Sequence, residues 1–473
     1  MEENLFDDLS PVNVRQSVEQ YEEMLRSRSI RFFDIADFDN IIFYYEQRDE
    51  WKKALQVLDY AIEQHAYSTE FITKKASILI YYHKYREAHI LLDQAEAMQP
   101  GDMMIQIIRS DLFVLKREFE KSIAILKSAL LNCTKEDREE LLFELAEVYE
   151  DTEQYDELFD CFYRILEANP QSQEALNRMW YCLELSGKTE ESILLHEKIL
   201  DEFPYSYLAW NNLGHAYLAK KNYEKAIDAF ELVTAINENC DMAYRDCGEA
   251  WFHLKKYHKA IEQFHKAIEF SRAYEELLFS IGVCYEKLKD FAAARSYYRK
   301  TLLADPQYAE ACYRIGETYN RQRLWNQAIH YYRKAQRLTP DNVYYLMAMA
   351  RACCKLKQSE MIMQCVESVM ALNINYKTRS HYEKLIRYLI QAECFEEALN
   401  LMDYSTLEKG TLPVFAFLRS ICYWKTGRTR QAANWLEQGL TWYYSKHPVL
   451  FKFAPELRDH PQVMMLLESY KTT

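Results

Sequence analysis

The sequence predicts an all-α fold, a solenoid of about twelve helix-turn-helix repeats with a helical cap at each end. The main observation is a spacing of 34 residues: steps of that length from Gly214 reach Gly248, Gly282, Gly316 and Ala350. The same step from Ala226 reaches Ala260, Ala294 and Ala328. Apolar residues also recur at helical spacing in two blocks within each period. A repeat of about 20 to 50 residues indicates units that bury their apolar faces only against their neighbours.

Two helices are predicted in every repeat. With each repeat numbered 1 to 34 and Gly214 at position 8, apolar residues at positions 4, 7, 8 and 11 form one helix (helix A), and those at 20, 24, 27 and 28 form a second (helix B). A short polar turn joins them, and a proline near position 32, such as Pro340, ends helix B. Positions 8 and 20 are small, as in Gly248 and Ala260. This indicates a close approach of two helix backbones, because a glycine inside a helix otherwise costs about 1 kcal/mol relative to alanine.

Three segments follow from this frame. The repeats cover residues 35–446, with two-residue shifts of register near Thr134–Glu136 and near Asn375–Thr378. Residues 1–34 and 447–473 depart from the repeat, and each contains an amphipathic helix. Because the outer faces of terminal repeats would otherwise be apolar, we expect these two segments to provide an N-terminal and a C-terminal capping helix.

The repeat resembles the tetratricopeptide repeat (TPR), most clearly over residues 207–342, which include the segment YLAWNNLGHAYLAKKNYEKAIDAFELVTAINEN. The resemblance implies a right-handed superhelix in which helix A lines a concave groove, and a role as a protein-interaction scaffold. The segment FFDIADFDNIIFYYEQRDEWKKALQVLDYAIEQH is similar in style to large cytosolic TPR proteins of Bacteroidota. The two-carboxylate clamp of chaperone-binding TPR domains and the asparagine ladder of the glycosyltransferase type are not reproduced in this sequence.

The composition argues against several classes of partner. A net charge of −14 disfavours nucleic acid and anionic membranes, which require a basic surface. No apolar run approaches the roughly 20 residues of a membrane span, and the N-terminal MEENLFDDLS lacks the features of a signal peptide. The twelve cysteines are scattered without a CxxC, which favours reduced thiols in the core of a cytoplasmic protein.

Motifs for catalysis or cofactor binding are missing from the sequence. The patterns GxSxG, Walker A, GxGxxG, HExxH and the zinc-ligand spacings do not occur. We therefore predict no catalytic residues, no metal site and no cofactor. Nothing in the sequence specifies an oligomeric state.

In the TPR pattern, positions 2, 5, 6, 9, 12 and 13 of helix A face the groove, and in the later repeats they carry many basic and amide side chains. Such donors suit an extended protein segment with carboxylates or exposed carbonyls. The alternative is that they form only the solvated polar side of amphipathic helices. The earlier repeat over 139–172 is acidic at these positions, with Glu140, Glu144, Glu147, Glu150 and Asp151. The predicted contacts are Asn177, Arg178, Asn211, Asn212, His215, Arg245, Arg314, Arg351, Lys384 and Arg387.

The leading functional prediction is a non-enzymatic scaffold that binds segments of other proteins, acidic or extended, in the concave groove. A second candidate is a co-chaperone or adaptor in protein assembly or secretion. A third is an enzyme whose active site in the groove carries no known motif. The repeat frame and the missing motifs both argue against the third candidate.

Overall fold

The computed structural model describes residues 11–271, 274–372, 379–409 and 414–471, and within them the chain forms α-helices, short 3₁₀ helices and no strand. It divides into two units, the N-terminal unit Met1–Ile236 and the C-terminal unit Asn237–Thr473. None of the described helices is both long and apolar enough to span a membrane.

The N-terminal unit consists of thirteen helices in its described residues. They are α1 Pro11–Ser27, α2 Ile35–Glu46, α3 Trp51–Gln64, α4 Thr69–Tyr81, α5 Tyr85–Met98, α6 Met103–Leu115, α7 Phe119–Asn132, α8 Asp137–Asp151, α9 Tyr155–Ala168, α10 Gln173–Ser186, α11 Thr189–Glu202, α12 Tyr207–Ala219 and α13 Tyr223–Ile236. Helix α1 packs on α2 and buries Val18, Tyr21 and Met24.

The C-terminal unit has fourteen α-helices in its described residues. They are α14 Asp241–His253, α15 Tyr257–Phe270, α16 Glu275–Lys287, α17 Phe291–Ala304, α18 Ala309–Arg321, α19 Trp325–Leu338, α20 Val343–Lys355, α21 Ser359–Ala371, α22 Arg379–Gln391, α23 Phe395–Lys409, α24 Phe415–Lys425, α25 Thr429–Tyr443, α26 Pro448–Phe453 and α27 Pro461–Tyr470. Two 3₁₀ helices, Tyr444–Lys446 and Pro455–Asp459, flank α26. Helix α27 packs on α25 and buries Val463 and Leu467.

Helices α2 to α25 form the twelve pairs that the 34-residue frame predicts, and the all-α array of helix pairs is therefore confirmed. The first predicted shift of register, near Thr134–Glu136, lies between α7 and α8. The second, near Asn375–Thr378, lies outside the described residues, as do residues 1–10. That the two end segments act as caps, with the boundaries given above, stays a prediction.

One pair departs from the common packing. Trp180 takes the place of a small residue at position 8 of its repeat. In this repeat α10 packs mainly against α9 and α12 rather than against its own partner α11. Trp180 stacks on His215 of α12, in keeping with the packing of α10 against α12.

The turn between helices A and B uses the same backbone conformation in all twelve pairs. The residue at position 15 has φ between +55° and +78°. In the C-terminal unit, for example, the N–H of Asp290, one residue later, donates to the carbonyl of Tyr285 across 3.0 Å, as expected where a left-handed residue closes a helix. Only two of these positions are glycine. The twelve are Asp49, His83, Arg117, Glu153, Gly187, Lys221, Lys255, Lys289, Arg323, Lys357, Glu393 and Gly427.

The glycines at position 8 lie against an aromatic ring of helix B. A Cβ built on Gly248 would come within 2.6 Å of the Phe264 ring, and one on Gly316 within 2.6 Å of the Tyr332 ring. Both rings are buried. The sequence pattern relates the glycine to the small residue at position 20, but the structure shows that the ring at position 24 is its nearest neighbour.

The cysteines pack as apolar side chains. All twelve are free thiols and ten of them are buried, including the predicted core residues Cys247, Cys312 and Cys353. Burial raises the pKa of the Cys284 thiol to about 12, so that the thiol stays protonated at neutral pH.

Candidate functional site

The candidate site is the face formed, within each unit, by helix A of successive repeats, here called the helix-A face. Within the N-terminal unit α4 packs beside α6, α6 beside α8, and α10 beside α12; within the C-terminal unit α20 packs beside α22. Side chains at positions 5, 6 and 9 of one helix A can therefore reach those of the neighbouring helix A. Five of the predicted contacts lie on α10 and α12 of the N-terminal unit, and five lie on α14, α18, α20 and α22 of the C-terminal unit.

On α10, Arg178 is already engaged within the protein. Its guanidinium donates to the Glu150 carboxylate on α8 and lies 3.5 Å from Glu174, one turn earlier on its own helix. It also stands over the Phe162 ring, 5.1 Å from the centroid. Its neighbour Asn177 is exposed. The charge of Arg178 is thus offset by two carboxylates, which the sequence pattern did not indicate.

On α12, one of the predicted contacts is a structural residue. Asn212 is only 1% exposed, and its side-chain amide donates to the Leu176 carbonyl of α10 across 2.9 Å. Its side chain is enclosed between two helices, and its contact with a partner stays a prediction. His215 stacks on Trp180, with ring centroids 5.4 Å apart. Asn211, which directly precedes Asn212 in the sequence, is partly buried.

In the C-terminal unit, Arg314 belongs to a network around a buried carboxylate. Glu286 on α16 is 4% exposed, accepts a 2.9 Å hydrogen bond from the Tyr298 hydroxyl, and lies 3.3 Å from Arg321 and 4.0 Å from Arg314. Arg314 Nε also donates to Glu310 at 2.9 Å. Burial, and then the charge of Glu286, raise the pKa of the Tyr298 hydroxyl, which therefore remains a donor.

The next repeat has a second network of the same composition. Glu317 on α18 accepts a 2.5 Å hydrogen bond from the Tyr332 hydroxyl and another from the guanidinium of Arg351 on α20. In both networks a tyrosine at position 24 and an arginine of the next helix A meet a glutamate of the helix-A face. The tyrosine hydroxyls thus have a structural role, and the arginines are held in one orientation by charge-assisted hydrogen bonds.

The remaining predicted residues of this unit show the same pairing, with one exception. Arg245 lies 3.0 Å from the buried Asp246, and Arg387 donates to Glu383 at 2.6 Å. Lys384 is exposed on α22. The basic residues therefore alternate with carboxylates of the same face, and the sequence analysis missed those acidic partners. The sequence could have predicted these pairs, because each acidic partner lies at a groove position of the same or the preceding repeat.

An acidic cluster occupies the helix-A face of α8, as the sequence indicated. Burial first, and then the nearby charges of Asp111, Glu147 and Glu140, raise the pKa of Glu144 to about 7. Because like charges oppose each other here, this face carries negative potential at neutral pH.

Comparison with known proteins agrees with the fold. Two segments, residues 207–240 and 287–352, match models of the tetratricopeptide repeat. No curated protein matches the chain.

Three solved structures illustrate the similarity. MamA is 22% identical over 36% of this chain and 94% of its own, with a TM-score of 0.33. YrrB, described as a TPR protein with an unusual peptide-binding site, is 22% identical over 40% of this chain and 96% of its own, with a TM-score of 0.34. The Cut9–Hcn1 hetero-tetramer of APC/C is 12% identical over 92% of this chain and 89% of that chain, with a TM-score of 0.32.

The identification rests on three observations that agree. The 34-residue frame runs through twelve helix pairs, and in each pair the residue at position 15 of the turn has a left-handed backbone conformation. Two segments also match the family models. Residues 207–240 and 287–352 are therefore identified as tetratricopeptide repeats, within a frame that the other helix pairs share.

Proposed function

We propose that this protein is a scaffold that binds extended segments of other proteins on its helix-A face. Repeats of this kind typically serve as non-enzymatic interaction scaffolds, and each repeat adds one further helix to the same face. The two other candidates, a co-chaperone or adaptor and an enzyme, gain no specific support from the described residues.

The observation that carries the proposal is the anchoring of Arg314 and Arg351. The side chains of Arg314 and Arg351 are 36% and 39% exposed, although two carboxylates lie beside the first and one beside the second. A guanidinium has five N–H donors in a fixed fork, so these ion pairs leave some of its donors available to a partner. Because the arginines are already oriented, a partner that binds them loses less side-chain entropy.

The ion pairs of these two arginines also affect which chemical groups of a partner they can bind. Since Glu310 and Glu317 offset the positive charge, the remaining donors are better matched to the backbone carbonyls of an extended segment than to its carboxylates. The preference for acidic partners that the groove positions suggested stays a prediction. Of the five predicted contacts in this unit, Lys384 is the exposed one and so the best placed to attract a carboxylate.

The proposal can be tested by capture of partners from a lysate followed by mass spectrometry. The double variant Arg314→Gln, Arg351→Gln should reduce the capture of specific partners at least tenfold. The control is Lys255→Gln, Lys289→Gln, which removes two positive charges from the turns between helices A and B and should leave capture unchanged. Circular dichroism must show intact helices in both variants. Equal capture by the two variants would refute the role of this face.

A further inference from the structure

A separate hollow lies on the helix-A face of the N-terminal unit, centred on α4. It has a volume of about 570 Å³ and is bounded by the end of α2, the start of α3 and the start of α6. We call it the α4 hollow. Its volume falls within the roughly 300–1,000 Å³ of sites that enclose ligands in proteins. The basic residues discussed above do not line it, and the sequence analysis did not single it out.

The wall of the α4 hollow is apolar and rich in large side chains. The rings of Trp51 and Tyr81 lie 5.9 Å apart at its edge, and Met104 and Ile108 of α6 close the opposite side. Tyr81 is 68% exposed and Met104 47% exposed. Exposed aromatic and methionine side chains gathered in a concavity are typical of surfaces that receive an apolar group from a partner.

The charged groups at the hollow are predominantly negative. The ammonium nitrogen of Lys74 on α4 lies 2.6 Å from a carboxylate oxygen of Asp39 and 3.6 Å from one of Glu70, and these two ion pairs offset its positive charge. Glu46, at the end of α2, also lines the hollow and is partly buried, and among the described residues no cation forms an ion pair with it. Three carboxylates thus surround one ammonium group.

The raised pKa of the Glu46 carboxyl indicates that a bound cation would stabilise its ionised form. Burial is the largest influence on its pKa and raises it, Lys74 lowers it, and Asp39 raises it further. Lys74 is shared with Asp39 and Glu70, so a further cation that approaches this partly desolvated carboxylate would stabilise it. The hollow therefore offers an apolar wall beside a carboxylate whose charge Lys74 offsets only in part.

We propose that the α4 hollow binds a protein segment in which a large apolar side chain adjoins an arginine or lysine. The apolar side chain packs between Trp51, Tyr81 and Met104, and the cation pairs with Glu46. This inference rests on the proposed scaffold function and specifies the partner class for the N-terminal unit. It differs from the acidic partner that the sequence predicted for the later repeats, because the charge that faces the hollow has the opposite sign.

The test uses the full chain and an array of synthetic peptides of random sequence. Bound peptides should be enriched in a large apolar residue next to Arg or Lys. The best of them, labelled with fluorescein, is then titrated by fluorescence polarisation. Tyr81→Ser and Glu46→Gln should each raise the dissociation constant at least tenfold, and the effect of Glu46→Gln should shrink at high salt.

Two matched controls lie on the same unit outside the hollow. Tyr67→Ser removes a tyrosine that is 94% exposed, and Glu63→Gln removes an exposed carboxylate; both should bind the peptide as the original protein does. Enrichment of acidic peptides, or unchanged binding by both hollow variants, would overturn the proposal. A dimer in sedimentation equilibrium that Tyr81→Ser abolishes would assign the hollow to a second copy of the chain and also overturn it.

The outcome also separates this proposal from the broader one. If lysate capture depends on Arg314 and Arg351 while peptide binding ignores Tyr81 and Glu46, the α4 hollow proposal fails and the scaffold proposal stands. If neither pair of variants affects binding, both fail.

Discussion

The contact between Gly248 and the Phe264 ring provides a sensitive test of the repeat packing. Gly248→Ala adds a single methyl group, which would lie 2.6 Å from the ring, where carbon atoms normally stay about 3.5–4.0 Å apart. Because Phe264 is 2% exposed, the ring has little free space into which it can move. The substitution must therefore displace the ring or separate α14 from α15.

Two effects of opposite sign determine the magnitude. Replacing glycine by alanine inside a helix should stabilise it by about 1 kcal/mol. Inserting a methyl group into a filled core costs about 1–3 kcal/mol. Because the new methyl group would lie 2.6 Å from the ring, overpacking outweighs the gain in helix propensity, and we expect a net loss of about 1 kcal/mol. The sign of the change is thus more informative than its size.

A second substitution separates overpacking from other causes. Phe264→Leu should by itself cost on the order of 1 kcal/mol through lost packing. In the double variant Gly248→Ala, Phe264→Leu the new methyl group occupies space that the ring has left. We expect the pair to be less destabilised than the sum of the single variants by about 1–2 kcal/mol, a coupling typical of residues in contact.

Hydrogen exchange of the α14 and α15 amides measures this locally, which suits a solenoid that opens in parts. The urea midpoint followed by circular dichroism gives an independent value. A Gly248→Ala variant that is more protected than the original, or a double variant whose loss is simply additive, would refute the packing described here.

Three further predictions follow from the same structure. Lys289→Gly should raise the thermal midpoint, because a non-glycine residue at φ +64° costs about 1 kcal/mol; a lower midpoint would contradict the turn geometry. Tyr298→Phe should lower the stability by about 1–3 kcal/mol by removing a donor from the buried Glu286, whereas Tyr297→Phe, whose hydroxyl is at the surface, should be nearly neutral. Glu144→Gln should raise the urea midpoint at pH 8 and lose that gain near pH 4. The reason is that a raised carboxyl pKa of about 7 makes the folded state less stable as pH rises from about 4.3, the unfolded value, towards 7. A gain that persisted at pH 4 would refute this assignment.

The helix pairs could be predicted because the information that defines them is local and periodic. Gly248 and Ala260 mark the same positions in repeat after repeat, and the apolar spacing around them distinguishes helix from strand. The left-handed turn was less visible, since most of its residues are charged rather than glycine, as at Lys289. Its conformation is imposed by the two helices that it joins.

The groove residues were predicted by position, and the prediction was incomplete because it treated each side chain alone. The frame placed Arg314 and Arg351 on helix A but did not pair them with Glu286 and Glu317, which lie about one repeat earlier in the chain. Asn212 looked like a groove residue in the frame, yet its amide is enclosed against α10.

The sequence by itself determined the repeat length, the order of the helices and the side of each helix that faces its neighbours, because these depend on periodicity within one chain segment. Only the tertiary structure decided which charges remain available. Arg351 is paired with Glu317, whereas Glu46 shares Lys74 with two other carboxylates, because of the side chains that neighbouring repeats bring near them. The physical reason is that electrostatic pairing and the shape of a hollow depend on distances of a few ångströms between residues that are about one repeat apart in sequence.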